Sequence, residues 1–294
     1  MYELNQLGPN TYTIESPARV GLVRVSENEV CLIDAGSDRS AARKIRQILD
    51  AHGWQLRAIY NTHSHADHIG GNRYLQDQTL CRIYAPGVEA AFTRYPILEP
   101  SLLYGASPLS ELRDKFLMAG ESDARELTAA DMPQGWEVVP LSGHAPGMVG
   151  FRTQDDVLFL ADCLSSRETM EKYGMTYLYD VAAYLKTLEE VRHMRAACFV
   201  PAHAPVTDDI APLAEMNIGK VRSICEDILA ICAEPLCFEE VLHRLFVRYG
   251  LTMTLQQYAL LGSTLRAYLS YLKAQGRLEI LIEDSYVRWI RTGT

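Results

Sequence analysis

Short runs of β-branched and apolar residues, separated by turn formers, open the chain. TYTIES (11–16), VGLVRV (20–25) and EVCLIDAG (29–36) read as three strands, with SENE as a hairpin turn between the second and third. SDRSAARKIRQILDAHG then switches period. Ala42, Ile45, Ile48 and Leu49 fall on one helical face, and Gly53 is placed to close the helix. LRAIYNTH reads as a buried strand that runs directly into a polar cluster, with a helix opening at Ala66 or Asp67 and continuing through IGGNRYLQ. The rhythm breaks over residues 86–135, rich in Pro, Gly, Tyr and Leu, which read as a partly helical insertion. Strands return with WEVVPLSG, GMVGFRTQ and DVLFLAD. A helix follows in DVAAYLKTLEEVRHM, with Asp180 as its N-cap, then the strand AACFVPAH. Beyond about residue 210 three helical segments dominate, and RLEILIEDSYVRWIRT closes as two strands around a polar turn. Helix, helix, hairpin is the outline of a winged helix. No internal repeat of fixed period is visible.

Length and composition fit this outline. With 294 residues, 48% of them hydrophobic, the chain suits one large domain with a smaller one beside it. The division is placed at residues 1–210 and 211–294. A formal net charge of −9 argues against a chain built to coat nucleic acid or an anionic membrane. The seven cysteines are odd in number, form no CxxC pair and sit mostly in apolar runs. They read as reduced, buried thiols. The start MYELNQLGPNTY has no signal-peptide pattern, and no apolar run approaches the ~18 residues of a membrane span. The expected location is the cytoplasm.

The polar cluster after LRAIY carries the chemistry. NTHSHADHIGG places His63, His65, Asp67 and His68 within six positions of a chain that has eight histidines. Imidazole and carboxylate are common zinc ligands, with bonds of about 2.0–2.2 Å. His63 and His65, two apart in an extended segment, project from one face and can share a metal. Asp67 and His68 lie beyond the bend and suit a second. Further ligands stand at the ends of apolar strands: His144 in PLSGHAPG, Asp162 in LFLADCL and His203 in FVPAHAPV. Such strand ends are where distant residues converge. His52, His193 and His243 read as solvated or capping residues, and Cys163 as a buried neighbour of Asp162.

His-x-His-x-Asp-His, then Gly-His, then Asp, then His, each after a strand, resembles the metallo-β-lactamase-fold hydrolase superfamily. LIDAG, ending at Gly36, is similar to that superfamily's N-terminal strand motif. The resemblance covers residues 1 to about 210 and implies an α/β fold, an αββα sandwich, here with a smaller C-terminal winged-helix-like domain. It implies that His63, His65 and His144 bind one metal, that Asp67, His68 and His203 bind another, and that Asp162 bridges them. Asp34 would support the ligand loop.

Two divalent cations about 3.5–4 Å apart can hold a shared water and lower its pKa. The expected activity is therefore a dinuclear metal-dependent hydrolase, using a metal-bridging hydroxide on a small ester, thioester or amide. Asp67 is the candidate to hand a proton to the leaving group. Zinc is the first choice for an imidazole-rich set, and iron or manganese fit the same ligands. No nucleophile elbow, P-loop or dinucleotide fingerprint is present. Two other readings stand beside this one: a non-haem iron oxygenase of a thiol or persulfide, and a ligand-sensing DNA-binding regulator. Residues 222–294 carry eight Lys/Arg and eight Asp/Glu, and that neutrality favours a packing or homodimerisation element over a nucleic-acid partner. The insertion and the segment SSRETMEKYGMTYLYDV are expected near the pocket mouth, with Arg94, Tyr95 and Tyr104 either meeting substrate or lying on an exposed helical face.

Overall fold

The computed structural model describes residues 2–293, so the reading of the N-terminal segment includes one residue, Met1, outside the described residues. In chain order the first half gives β1 (Leu4–Gln6), β2 (Thr11–Ile14), β3 (Val20–Arg24), β4 (Glu29–Ile33), α1 (Arg39–His52), β5 (Gln55–Tyr60), α2 (Ala66–Ile69), α3 (Asn72–Thr79), β6 (Arg82–Ala85), α4 (Val88–Arg94), α5 (Leu98–Tyr104) and β7 (Ala124–Glu126). The second half gives β8 (Glu137–Pro140), β9 (Val149–Arg152), β10 (Val157–Ser165), α6 (Arg167–Tyr173), α7 (Val181–Val191), β11 (Cys198–His203), α8 (Ala211–Ile231), β12 (Leu236–Cys237), α9 (Phe238–Tyr249), α10 (Leu255–Ala274), β13 (Leu278–Glu283) and β14 (Tyr286–Arg291).

β1 to β7 form one sheet in sequence order, and β11-β10-β9-β8 form a second. The first is antiparallel through β4 and parallel from β4 to β7. Strand alternation explains why its inner strands are apolar throughout. On β4, Cys31 and Ile33 face the second sheet, packing with Tyr60, Phe151 and Phe159. Val30 and Leu32 face the other way, onto Ile45 and Leu49 of α1 and Leu75 of α3. The α1 face is the one set by its sequence spacing, with Asp38 accepting from the Ser40 and Ala41 amides and Gly53 in the left-handed region closing the helix. On the far side, α7 and α8 cover β10. The layers are helix, sheet, sheet, helix.

The C-terminal helices join that outer core. Leu158, Leu160, Tyr184 and Leu188 pack in one cluster with Ile218, Val221, Leu245, Leu265 and Tyr268. Each large apolar side chain buried there is worth about 1.5–3 kcal/mol. β13 and β14 form the expected hairpin, with Asp284 and Ser285 at positive φ in the turn, as a two-residue hairpin loop requires. β12 pairs with β14 to make a three-stranded sheet.

Three features differ from the sequence expectation. The helix after Ala66 is broken into α2 and α3 at Gly70–Gly71. The 86–135 segment is partly helical as expected, but also contributes β7, an edge strand of the first sheet. Asp162 lies within β10, not at its end. No described helix is long and apolar enough to cross a membrane, and all seven cysteines are free.

Candidate metal centre

The site forms where both sheets present their strand ends. β5 leads into His63 and His65, α2 carries Asp67 and His68, and β11 ends on His203. His144 stands in the β8–β9 loop. β10 loses regular pairing with β11 beyond Phe159, and Ala161 sits at φ 47. Left-handed backbone at a β-carbon residue is uncommon and clusters at functional sites; here it immediately precedes Asp162.

All seven predicted ligand residues converge in two groups that share Asp162: His63, His65 and His144 with Asp162, and Asp67, His68 and His203 with Asp162. His65 Nδ1 lies 3.0 Å from both His63 Nε2 and His144 Nε2. Asp162 Oδ2 is 3.4 Å from His144 Nε2, while its Oδ1 is 2.8 Å from His68 Nε2 and 3.3 Å from His203 Nε2. Asp67 Oδ2 is 3.2 Å from His203 Nε2. Tetrahedral zinc with bonds of about 2.0–2.1 Å separates its ligand atoms by about 3.3 Å, so these spacings suit cation cages.

The nitrogens on the far side of the rings have acceptors. His68 Nδ1 is 2.8 Å from Asp34 Oδ2, His144 Nδ1 is 3.1 Å from the Tyr177 carbonyl, and His203 Nδ1 is 3.0 Å from the Pro17 carbonyl. His63 Nδ1 is 3.0 Å from Thr62 Oγ1, whose own proton goes to Asp34. With those nitrogens donating, the inward nitrogens carry lone pairs, as metal-ligating imidazoles require. Two buried inward atoms, His68 Nε2 and Asp162 Oδ1, have no hydrogen-bond partner. Lone pair facing lone pair is costly unless a cation or proton lies between them. The donor set therefore fits a pair of divalent metal ions.

In the metal-free protein a proton takes that place on His68 and His203. Burial opposes charge on His68, yet Asp162, Asp67 and Asp34 outweigh it and raise its pKa well above the usual value. Asp162 likewise lifts His203 to about 10. Burial pushes His63 well down and His144 down to about 3. For Asp67 burial works upward, but His68 and His203 prevail and bring it to about 2.

The ligand loop is held by close backbone approach. The Ala35 amide donates to the His68 carbonyl and the Gly71 amide to the Gly36 carbonyl. A β-carbon on Gly71 would lie 2.1 Å from the Ala35 carbonyl oxygen, which is why this position needs glycine. Beside the His65–Asp67 turn opens a cleft of about 340 Å³, lined by Ser37, Glu99, Lys115, Phe116, Leu117 and Leu260 among others.

Residues 14–203, which include every residue of the two groups, match the family described as the Metallo-beta-lactamase superfamily. The chain belongs to the metallo-beta-lactamase superfamily. It is 35% identical over 131 residues to a hydroxyacylglutathione hydrolase of Methylococcus capsulatus, covering 44% of this chain and 42% of that protein. It is 46% identical over 165 residues to one of Rhodopseudomonas palustris, covering 56% of each. The chain thus spans about half the length, or less, of the curated relatives it matches. A crystal structure of a beta-lactamase domain protein from Burkholderia ambifaria aligns with 99% of this chain and 94% of that one, at 20% identity and a TM-score of 0.74. That fold likeness extends through the C-terminal helices.

Within this superfamily scaffold the sequence reading missed several contributors. Thr62, the Tyr177 and Pro17 carbonyls, Glu89 and Glu99 touch the site from positions with no spacing signal. Of the residues held open for substrate, Tyr95 and Tyr104 are exposed, and none of Arg94, Tyr95 and Tyr104 lines the cleft. His52, His193 and His243 are exposed and apart from the site, and Cys163 is fully buried.

Proposed function

We propose that this superfamily member is a dinuclear metal-dependent hydrolase of a small thioester, with zinc as the metal, bound by His63, His65 and His144 on one side and by Asp67, His68 and His203 on the other. The observation that carries the reading is Asp162, whose two carboxylate oxygens face different ligand groups. Similarity to hydroxyacylglutathione hydrolases favours a thioester over other esters and amides. Bound there, two divalent cations supply an acidified water and a Lewis acid for the scissile carbonyl.

The chain's own residues do the rest. Asp34 fixes the His68 ring and, through Thr62, the His63 ring. Asp67 is the most exposed carboxylate of the ligand set, at 40%, and borders the cleft, so it is placed to pass a proton to the leaving group. Phe116, Leu117 and Leu260 exclude water from the acyl portion. Residues 1–210 then form the catalytic region, and residues 211–294 a winged-helix-like extension that closes the cleft through Leu260. The free cysteines support a cytoplasmic setting.

The test is elemental analysis of metal-replete protein, followed by thioester, lactone, β-lactam and phosphodiester substrates. Two metals per chain and metal-dependent thioester turnover are expected. A single bound iron with oxygen uptake and no hydrolysis would replace this reading with the oxygenase one.

A further inference from the structure

Two glutamates of the 86–135 insertion reach the centre without belonging to either ligand group. Glu89, on α4, is fully buried. Its Oε2 accepts from the Ser64 amide at 3.0 Å and the Ser64 hydroxyl at 2.6 Å, and its Oε1 accepts from the Gly147 amide at 2.7 Å. Ser64 lies between His63 and His65, and Gly147 lies three residues past His144. One carboxylate therefore ties together the two loops that carry the three histidines of one group. Glu99, on α5, is 6% exposed, and its Oε1 lies 3.4 Å from His65 Nε2, the nitrogen opposite the inward one.

The charge arrangement is equally telling. Asp34, Glu89 and Glu99 are buried, and the partly exposed Asp162 and Asp67 lie in the same neighbourhood. Among the described residues, none is paired with a lysine or arginine; histidines are the ion-pair partners of Asp34, Asp67, Asp162 and Glu99, and Glu89 is held by hydrogen bonds alone. Five carboxylates offset only by histidines are an unfavourable concentration of negative charge. Bound cations are the missing compensation, and they dominate local electrostatics wherever they sit.

Resting on the dinuclear reading, we propose that Glu89 and Glu99 are positioning residues for the metal held by His63, His65 and His144: Glu89 sets the spacing of the two loops, and Glu99 orients the His65 ring. The insertion thereby builds part of the metal centre as well as the cleft wall. Replacing Glu89 with Gln turns an acceptor into an amide whose NH₂ confronts an N–H donor. Replacing Glu99 with Gln keeps size and removes the charge facing His65. Outer partners of this kind are typically worth about 10–100-fold in metal affinity.

The experiment is chelator competition with zinc on the full-length chain, wild type beside Glu89→Gln and Glu99→Gln, together with visible spectra of the cobalt-substituted proteins. Expected is a loss of about 10–100-fold in one of two binding steps, with the other step held and the cobalt ligand-field bands shifted. Circular dichroism of the metal-free proteins checks that folding is retained; should Glu89→Gln unfold, Glu99→Gln decides alone. Two metals in the wild type with unchanged affinities and spectra in the folded variants overturn the positioning role and leave the hydrolase reading standing. A wild type that binds no metal overturns both.

Discussion

Asp162 Oδ1 lies 2.8 Å from His68 Nε2, and neither atom has a hydrogen-bond partner in a buried setting. With His68 Nδ1 committed to Asp34, two lone pairs meet there unless a cation or a proton intervenes. Asp162→Asn replaces one of those oxygens with an amide group that cannot ligate. Metal content of the purified protein is expected to fall from about two per chain toward one, with kcat/KM down by about 100-fold or more. Elemental analysis checks the first and steady-state kinetics the second. A variant with both metals and wild-type turnover would remove Asp162 from the centre.

Asp34 is the hub behind the ligands. It accepts at 2.8 Å from each of the Thr62 amide, the Thr62 hydroxyl and His68 Nδ1, and holds φ 62. Asparagine tolerates that backbone as well as aspartate does, so Asp34→Asn removes the charge and turns one acceptor into an NH₂ facing a donor, without adding backbone strain. The expected outcome is a metal affinity weaker by about 10–100-fold and a melting temperature lowered in the metal-free protein. Asp34→Ala adds left-handed strain and should melt lower still.

The metal-free protein should be most stable near neutral pH. His63 and His144 are held neutral by burial, His144 at about 3 against an ordinary 6.5. Their stabilising contribution is present above 6.5 and is lost as pH falls toward 3. Asp67, lowered to about 2 from 3.8, adds a further loss below 3.8. His203 acts in the opposite sense: raised to about 10, its contribution is full below 6.5 and is lost as pH climbs through 10. Thermal melts of chelator-treated protein from pH 4 to 10 should trace a dome. The proton on His203 must also leave when a cation takes Nε2, so zinc uptake at pH 7 should release protons. Calorimetry in two buffers of different ionisation enthalpy measures this, and a buffer-independent heat would refute it.

The residues that converge at the candidate site were legible because their chemistry coincides with chain punctuation. His63 and His65 are two apart just after a strand, and His144 and His203 follow apolar runs. The spacing of Ala42, Ile45 and Leu49 announced α1 in the same way. Glu89 and Glu99 gave no such signal, since a glutamate on a seven-residue helix looks the same whether solvated or buried. β1, β7 and β12 have three residues or fewer, too short to show alternation. The close approach of Gly70–Gly71 to the Ala35–Ser37 backbone is a long-range contact that local sequence does not encode.

The packing of the C-terminal helices yields the last prediction. Helix-rich composition past residue 210 reads as a separate module, but α8 and α10 pack directly on α7, and α8 also on β10. Removing residues 211–294 would expose Val181, Tyr184, Leu188 and Val191, all buried in that shared cluster. At about 1.5–3 kcal/mol for each large apolar side chain, the loss rivals the roughly 5–15 kcal/mol stability of a whole domain. It would also strip Leu260 from the cleft wall. A chain ending at residue 210 should therefore give no cooperative thermal transition and bind the dye ANS strongly, even with zinc present. A 1–210 fragment that melts cooperatively and retains two metals would show that the catalytic region folds by itself, with the C-terminal helices serving only as a covering wall.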